Sequence, residues 1–194
     1  MTSPASTERD YAAPGSQKVK RVILAIILCG FAACVLVALV GFAAIFTLNF
    51  LTQAILEAPA LSPGSSNGGQ GFLQGLAVAS LASALNWFFG YFTIPAAMVA
   101  LAASIGQFPR RRIVATNAYL RWGAIWGAIL VAAPSVFGSF AISSAMDPVS
   151  PATILGALSG GAGIGALAGL GCAGLFLLIV RPKSQLGHVD ASVF

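Results

Sequence analysis

Three stretches of this chain, Val22–Leu51, Trp122–Ala145 and Ala152–Val180, run for 24 to 30 residues without one Asp, Glu, Lys or Arg. Runs of about 18 or more apolar residues are the signature of membrane-spanning helices. A soluble core does not account for them, because its helices keep a polar face, and a soluble domain carries about 25% charged residues where this chain carries 8%. Nor do they fit a barrel. The runs are continuous instead of alternating, and far exceed the roughly 10-residue strands of membrane barrels.

Residues 1–17, rich in Ser, Thr, Pro and Ala, read as a disordered tail. Lys18, Lys20 and Arg21 then introduce a first span over 22–51. A basic flank before an apolar run also describes a secretory signal, but a signal core is about 7 to 15 residues long and this run is twice that. Phe31-Ala32-Ala33-Cys34 has the look of a lipoprotein cleavage site, yet apolar sequence continues where a polar tether belongs. An uncleaved span, about 45 Å long as a helix and therefore tilted or protruding, is the expectation.

A Pro/Gly/Ser/Asn loop from Glu57 to Gly71 leads to a second stretch, 72–106, too long for one straight crossing. It divides in two ways. Counting back about 20 residues from the arginines makes Trp87, Phe88, Phe89, Tyr91 and Phe92 an outer aromatic belt, with Gly71–Leu85 an extension or a surface-lying helix. Alternatively the crossing is the earlier part, and Pro95 begins a kinked inner extension. A third span over 122–145, kinked at Pro134, and a fourth over 152–180 complete a transmembrane domain of residues 18–183, followed by a tail, 184–194. The fold class expected is an all-α, polytopic four-helix bundle.

The ten Lys and Arg residues set its orientation. With four crossings and the N-terminus inside, all ten fall on the cytoplasmic side, and the outer loops carry only Glu57 and Asp147. An odd count would place a basic cluster outside, against the positive-inside rule. Arg110, Arg111 and Arg112 thus read as topology determinants that meet lipid headgroups. The net charge of +5 is accounted for by this role, with the lipid bilayer and not nucleic acid as partner.

Small residues recur every fourth position. Ala157, Gly161, Gly165, Gly169 and Ala173 form one stripe, Gly71, Gly75, Ala79 and Ser83 another, and Gly123 and Gly127 a third. Such stripes let helix backbones approach closely; they serve packing within the bundle or docking onto a homo-oligomer or larger membrane complex. Two dinucleotide-type fingerprints, Gly163–Ala168 and Gly169–Gly174, lie inside an apolar run, whereas that motif works only between a strand and a helix start. Ser83, Asn86 and Thr93 share a helical face, and Ser135, Ser139 and Ser143 form a second polar line. Facing one another they would make a polar seam. The three cysteines (Cys29, Cys34 and Cys172) lie within apolar runs and read as small hydrophobes.

The spans hold no His, Asp or Glu, so neither a haem held by paired histidines nor a proton-relay carboxylate is supported. His188, the single histidine, lies in the last tail. Neither a Ser/His/Asp set nor a zinc-protease or phosphate-loop motif is present. The expectation is a non-enzymatic membrane protein without metal or cofactor: an accessory or scaffold component, or alternatively a small transporter or channel subunit with its path at Asn86.

The segment from Thr93 to Ile129 joins Thr-Ile-Pro-Ala-Ala-Met, an arginine turn and Tyr-Leu-Arg-Trp-Gly-Ala-Ile-Trp-Gly-Ala-Ile. It resembles a loose class of small uncharacterised bacterial four-span inner-membrane proteins. The resemblance covers about a fifth of the chain. It implies a four-span topology and a bacterial inner membrane, and assigns no functional residues.

Overall fold

The computed structural model describes residues 22–57, 67–107, 116–143 and 150–180, and among them every element is helical. The helices are α1 (Val22–Glu57), α2 (Asn67–Ala84), α3 (Gly90–Gln107), α4 (Thr116–Ser143) and α5 (Pro151–Val180), with a 3₁₀ turn, Leu85–Phe89, between α2 and α3. They make four units long and apolar enough to cross a membrane: α1, the combined α2–α3 rod, α4 and α5. The chain is a multi-pass membrane protein. Large apolar side chains face outward along its length, Phe46 at 73% exposure among them, as a protein solvated by lipid tails requires.

The second stretch is one continuous rod, which departs from a surface-lying Gly71–Leu85 and from a kink beginning at Pro95. The helix does not end between α2 and α3: Ala84 (φ −62°, ψ −36°) and Gly90 (φ −51°, ψ −32°) keep helical dihedrals on either side of the 3₁₀ turn. The tightening falls at Leu85–Phe89, ahead of Pro95, whose missing N–H leaves the ladder incomplete near the start of α3. Nor does α2 lie on a surface. It stands upright in the bundle, where a Cβ added to Gly75 would collide with the Thr153 carbonyl of α5, and one added to Gly41 of α1 would come 2.5 Å from the Ala84 nitrogen. The rod therefore runs antiparallel to α1, with Ser83 and Ala84 beside Gly41, Gly90 beside Cys34, and Met98 beside Gly30. The aromatic group Trp87–Phe92 sits level with Cys34, about 18 Å along α1, and not at an end of the rod.

The centre of the assembly is α5, which packs on α1, α2 and α4. Its buried face carries mostly Gly and Ala, with Ile164, Phe176 and Val180 as the large members. At one end of the bundle, Ala25 and Cys29 of α1, Tyr119 of α4, and Phe176 and Val180 of α5 form an apolar cluster, with Leu101 of α3 against it. The start of α1, the facing ends of α3 and α4 and the end of α5 thus share one end. The basic segments adjoining them in sequence, Lys18–Arg21, Arg110–Arg112 and Arg181–Lys183, lie outside the described residues, as do both tails.

At the opposite end α5 begins with a built cap. Ser150 Oγ accepts the Thr153 N–H at 3.1 Å and lies 2.8 Å from Thr153 Oγ1, with Pro151 at the first helical position, where its missing N–H is harmless. A Cβ on Gly71 would fall 2.6 Å from the same Oγ, so α2 closes over the cap. Ser150→Ala is expected to lower stability by about 1 kcal/mol, read as a fall in the detergent unfolding midpoint. An unchanged midpoint would mean the cap contributes nothing there.

Candidate functional site

The helices do not fill the space they surround. α3 leans on α1 and α4 on α5, while α3 and α4 scarcely touch, and a cavity of about 620 Å³ lies between them with walls from every span. Its origin is in the side chains. Ala33 of α1, Ala96, Ala97 and Ala100 of α3, and Ala168 and Gly169 of α5 all face it. Residues this small allow close approach where backbones meet and leave a gap where they do not. The larger lining groups come mainly from one face of α4, where Trp122, Trp126, Leu130 and Pro134 recur every fourth residue, and the neighbouring face carries Gly123 and Gly127 against α5. The volume falls within the roughly 300–1,000 Å³ of small-molecule sites.

Polar groups on this largely apolar wall are few: Ser104, Tyr119 and Trp122 lie toward the end where α1 begins, and the rest gather further along. Asn86, on the 3₁₀ turn, accepts the Thr93 hydroxyl on Oδ1 at 2.7 Å and donates through Nδ2 to the Cys34 carbonyl at 3.4 Å. Ser83 lies one turn before it, 2% exposed. Ser135 also lines the cavity, with its hydroxyl bonded to the Val131 carbonyl at 2.7 Å. The two polar lines expected from sequence therefore meet on one cavity through Ser83, Asn86, Thr93 and Ser135. Ser139 does not join them. It is buried off the cavity and donates to the Ser135 carbonyl at 2.9 Å.

The small-residue candidates lie at contacts inside the bundle. A Cβ on Gly165 would collide with the Gly127 carbonyl and one on Gly169 with that of Gly123, while one on Gly161 would fall 2.7 Å from Ser135 Oγ. Gly75 meets Gly156 in the same manner on the α2 side. The two fingerprint segments are thus mid-helix packing sequence. Arg110, Arg111 and Arg112 lie outside the described residues.

One pairing had no local signal. Cys29 Sγ donates to the Cys172 carbonyl at 3.5 Å and Cys172 Sγ to the Cys29 carbonyl at 3.8 Å, a reciprocal link between α1 and α5 across 143 positions. Both thiols are free, and both residues line the cavity. The Tyr119–Phe176 stack, with centroids 5.6 Å apart and planes at 26°, lies at the end of the cavity beside them. Among the described residues no group of three or more His, Cys, Asp or Glu is placed to hold a metal ion. Comparison of the chain with protein-family models, curated proteins and solved structures gave no match.

Proposed function

We propose that this protein is a non-enzymatic membrane component that takes a small lipophilic molecule from the bilayer into the cavity between its spans. The observation that carries the reading is the cavity itself, bounded by all four spans, where α3 and α4 part toward the lipid. Its lining supports binding over catalysis, since the described residues around it offer apolar surface, hydroxyls, two indoles, one amide and two thiols, and no charged side chain. The same lining suits a largely apolar body better than an ion path, whose filter is built from rings of carbonyls or charged side chains. Of the expected roles, a lipophile-handling transport or accessory subunit is favoured over a scaffold that docks through its glycine stripes, because those stripes are occupied within the bundle. A bacterial inner membrane with both termini in the cytoplasm completes the proposal; it rests on the distribution of basic residues and on the class resemblance.

Native mass spectrometry from mild detergent tests it. The wild-type protein should carry an adduct of lipid-like mass or take up added diphenylhexatriene saturably. Ala97→Leu combined with Ala100→Leu, which fills the lumen from α3, should abolish both with helicity unchanged. A wild-type protein that neither retains nor takes up a lipophile would sink the reading.

A further inference from the structure

Hydroxyls inside these helices are ordinarily spent on their own backbone. Thr47, Ser80, Ser104, Ser135 and Ser139 each donate to the carbonyl one turn back, at 2.7–2.9 Å, the usual solution for a hydroxyl in an apolar helix. Ser83 departs from it. Its Oγ is buried and is the single buried side-chain oxygen or nitrogen without a partner among the described residues. The residue lines the cavity, and its Cβ is held close against Gly41 of α1. A buried hydroxyl without a partner weakens a fold; on a cavity-wall residue, a turn of the side chain would present it to a bound molecule.

Asn86 adds a second donor. Its Oδ1 holds a short bond from Thr93, but Nδ2 reaches the Cys34 carbonyl only at 3.4 Å and Cys34 Sγ at 3.7 Å. Both contacts go to Cys34, and the N–H···O one is long against an optimum of about 2.9–3.0 Å, so the amide N–H groups are weakly held. The corner formed by Ser83, Asn86 and Thr93 thus holds underused donors on Ser83 and Asn86, beside hydroxyl oxygens that can also accept. No charged side chain lines the cavity among the described residues, so an ionised head there would be desolvated without compensation. A plain hydrocarbon would leave the donors unpaired.

We infer that the cavity selects an uncharged lipophile bearing a carbonyl head, whose oxygen accepts from Ser83 and Asn86 while its apolar body lies along Ala97, Trp126 and Phe176. The assignment rests on the cavity-binding function proposed above and specifies its ligand class.

Laurdan, an uncharged naphthyl ketone with a lauroyl chain, is a suitable probe. In nanodiscs, energy transfer from Trp122 and Trp126, both on the cavity wall, reports its binding in a Trp87→Phe background that removes the outward-facing tryptophan. Transfer should saturate, and 2-tridecanone should displace the probe at least tenfold more effectively than tridecane or tridecanoate. Ser83→Ala and Asn86→Leu should each erase most of that preference and leave displacement by tridecane unchanged. Ser83→Ala should also keep an unfolding midpoint at or above wild type, because the hydroxyl it removes makes no bond within the protein; a purely structural serine would lower it. Equal displacement by ketone and alkane in the wild type, or displacement led by tridecanoate, overturns the carbonyl assignment and leaves the cavity function standing. Absence of saturable transfer and of any lipophile adduct overturns both.

Discussion

Gly165→Leu is expected to dismantle the bundle. A Cβ at this position would run into the Gly127 carbonyl oxygen and come 2.7 Å from the carbonyl carbon and 2.9 Å from Val131 Cβ. The collision begins at Cβ, so no rotamer relieves it; the backbones of α4 and α5 must separate. Separation is resisted on the other side of α5, where Gly156 sits against Gly75 and the Phe72 carbonyl, and where Leu36 of α1 meets Gly171. Overpacking a core that can rearrange costs about 1–3 kcal/mol. Here the α4–α5 contact opens along its length, and a loss above about 3 kcal/mol is expected by the same reasoning. Even Gly165→Ala should destabilise, although alanine ordinarily favours a helix over glycine by about 0.5–1 kcal/mol. Gly163 and Gly174 of the same helix have nothing within 4 Å of an added Cβ, so alanine there should be neutral or stabilising. Unfolding midpoints in detergent check the series, and a Gly165→Leu protein with the wild-type midpoint would refute it. The same measurement separates packing from docking: an interface between molecules would lose an oligomer and keep a folded monomer.

Hydropathy made the spans legible, and it marks where lipid contact begins more faithfully than where a helix begins. The start of α1 at Val22 and the extent of α5 agree with the apolar runs to within a residue. α1 continues to Glu57, beyond the expected Leu51, and α4 starts at Thr116, before the expected Trp122, because a helix crossing an interface needs no apolar sequence there. The second stretch was ambiguous for a related reason. Asn67-Gly-Gly-Gln-Gly reads as loop by composition, yet α2 begins there, and the helix's upright position comes from Gly75 meeting Gly156, a tertiary contact that hydropathy does not encode. The polar residues of the site were legible as helical faces. The cavity was not, since it arises from contacts that α3 and α4 fail to make. Trp122, Trp126, Leu130 and Pro134 did carry a local signal: large groups at four-residue spacing, next to a glycine face, on a helix with one side packed and one side open.

Phe176→Ala is the complementary change, removing bulk where Gly165→Leu adds it. Phe176 is 2% exposed, stacks on Tyr119, and closes the cavity at the end where α1 begins. In a water-soluble core the substitution would cost about 3–5 kcal/mol, the sum of lost transfer energy and the void left behind. In a bilayer the first contribution falls away, because lipid tails surrounding a separated helix are as apolar as the packed interior. What remains is lost dispersion contact, expected at about 2 kcal/mol. The vacated space adjoins the lumen, so a long-chain ketone binding only the folded protein should restore part of that loss as its concentration rises above its dissociation constant. Ile164 provides the contrast: it is buried at 6% exposure in a separate cluster with Val37, Val131 and Ala168, and does not line the cavity. Ile164→Ala should fall in stability by a comparable amount, and the ketone should raise its midpoint no more than it raises wild type. Equal recovery of the two variants would show that the space at Phe176 is not continuous with the binding cavity, and would confine the ligand to the Ser83–Asn86 end.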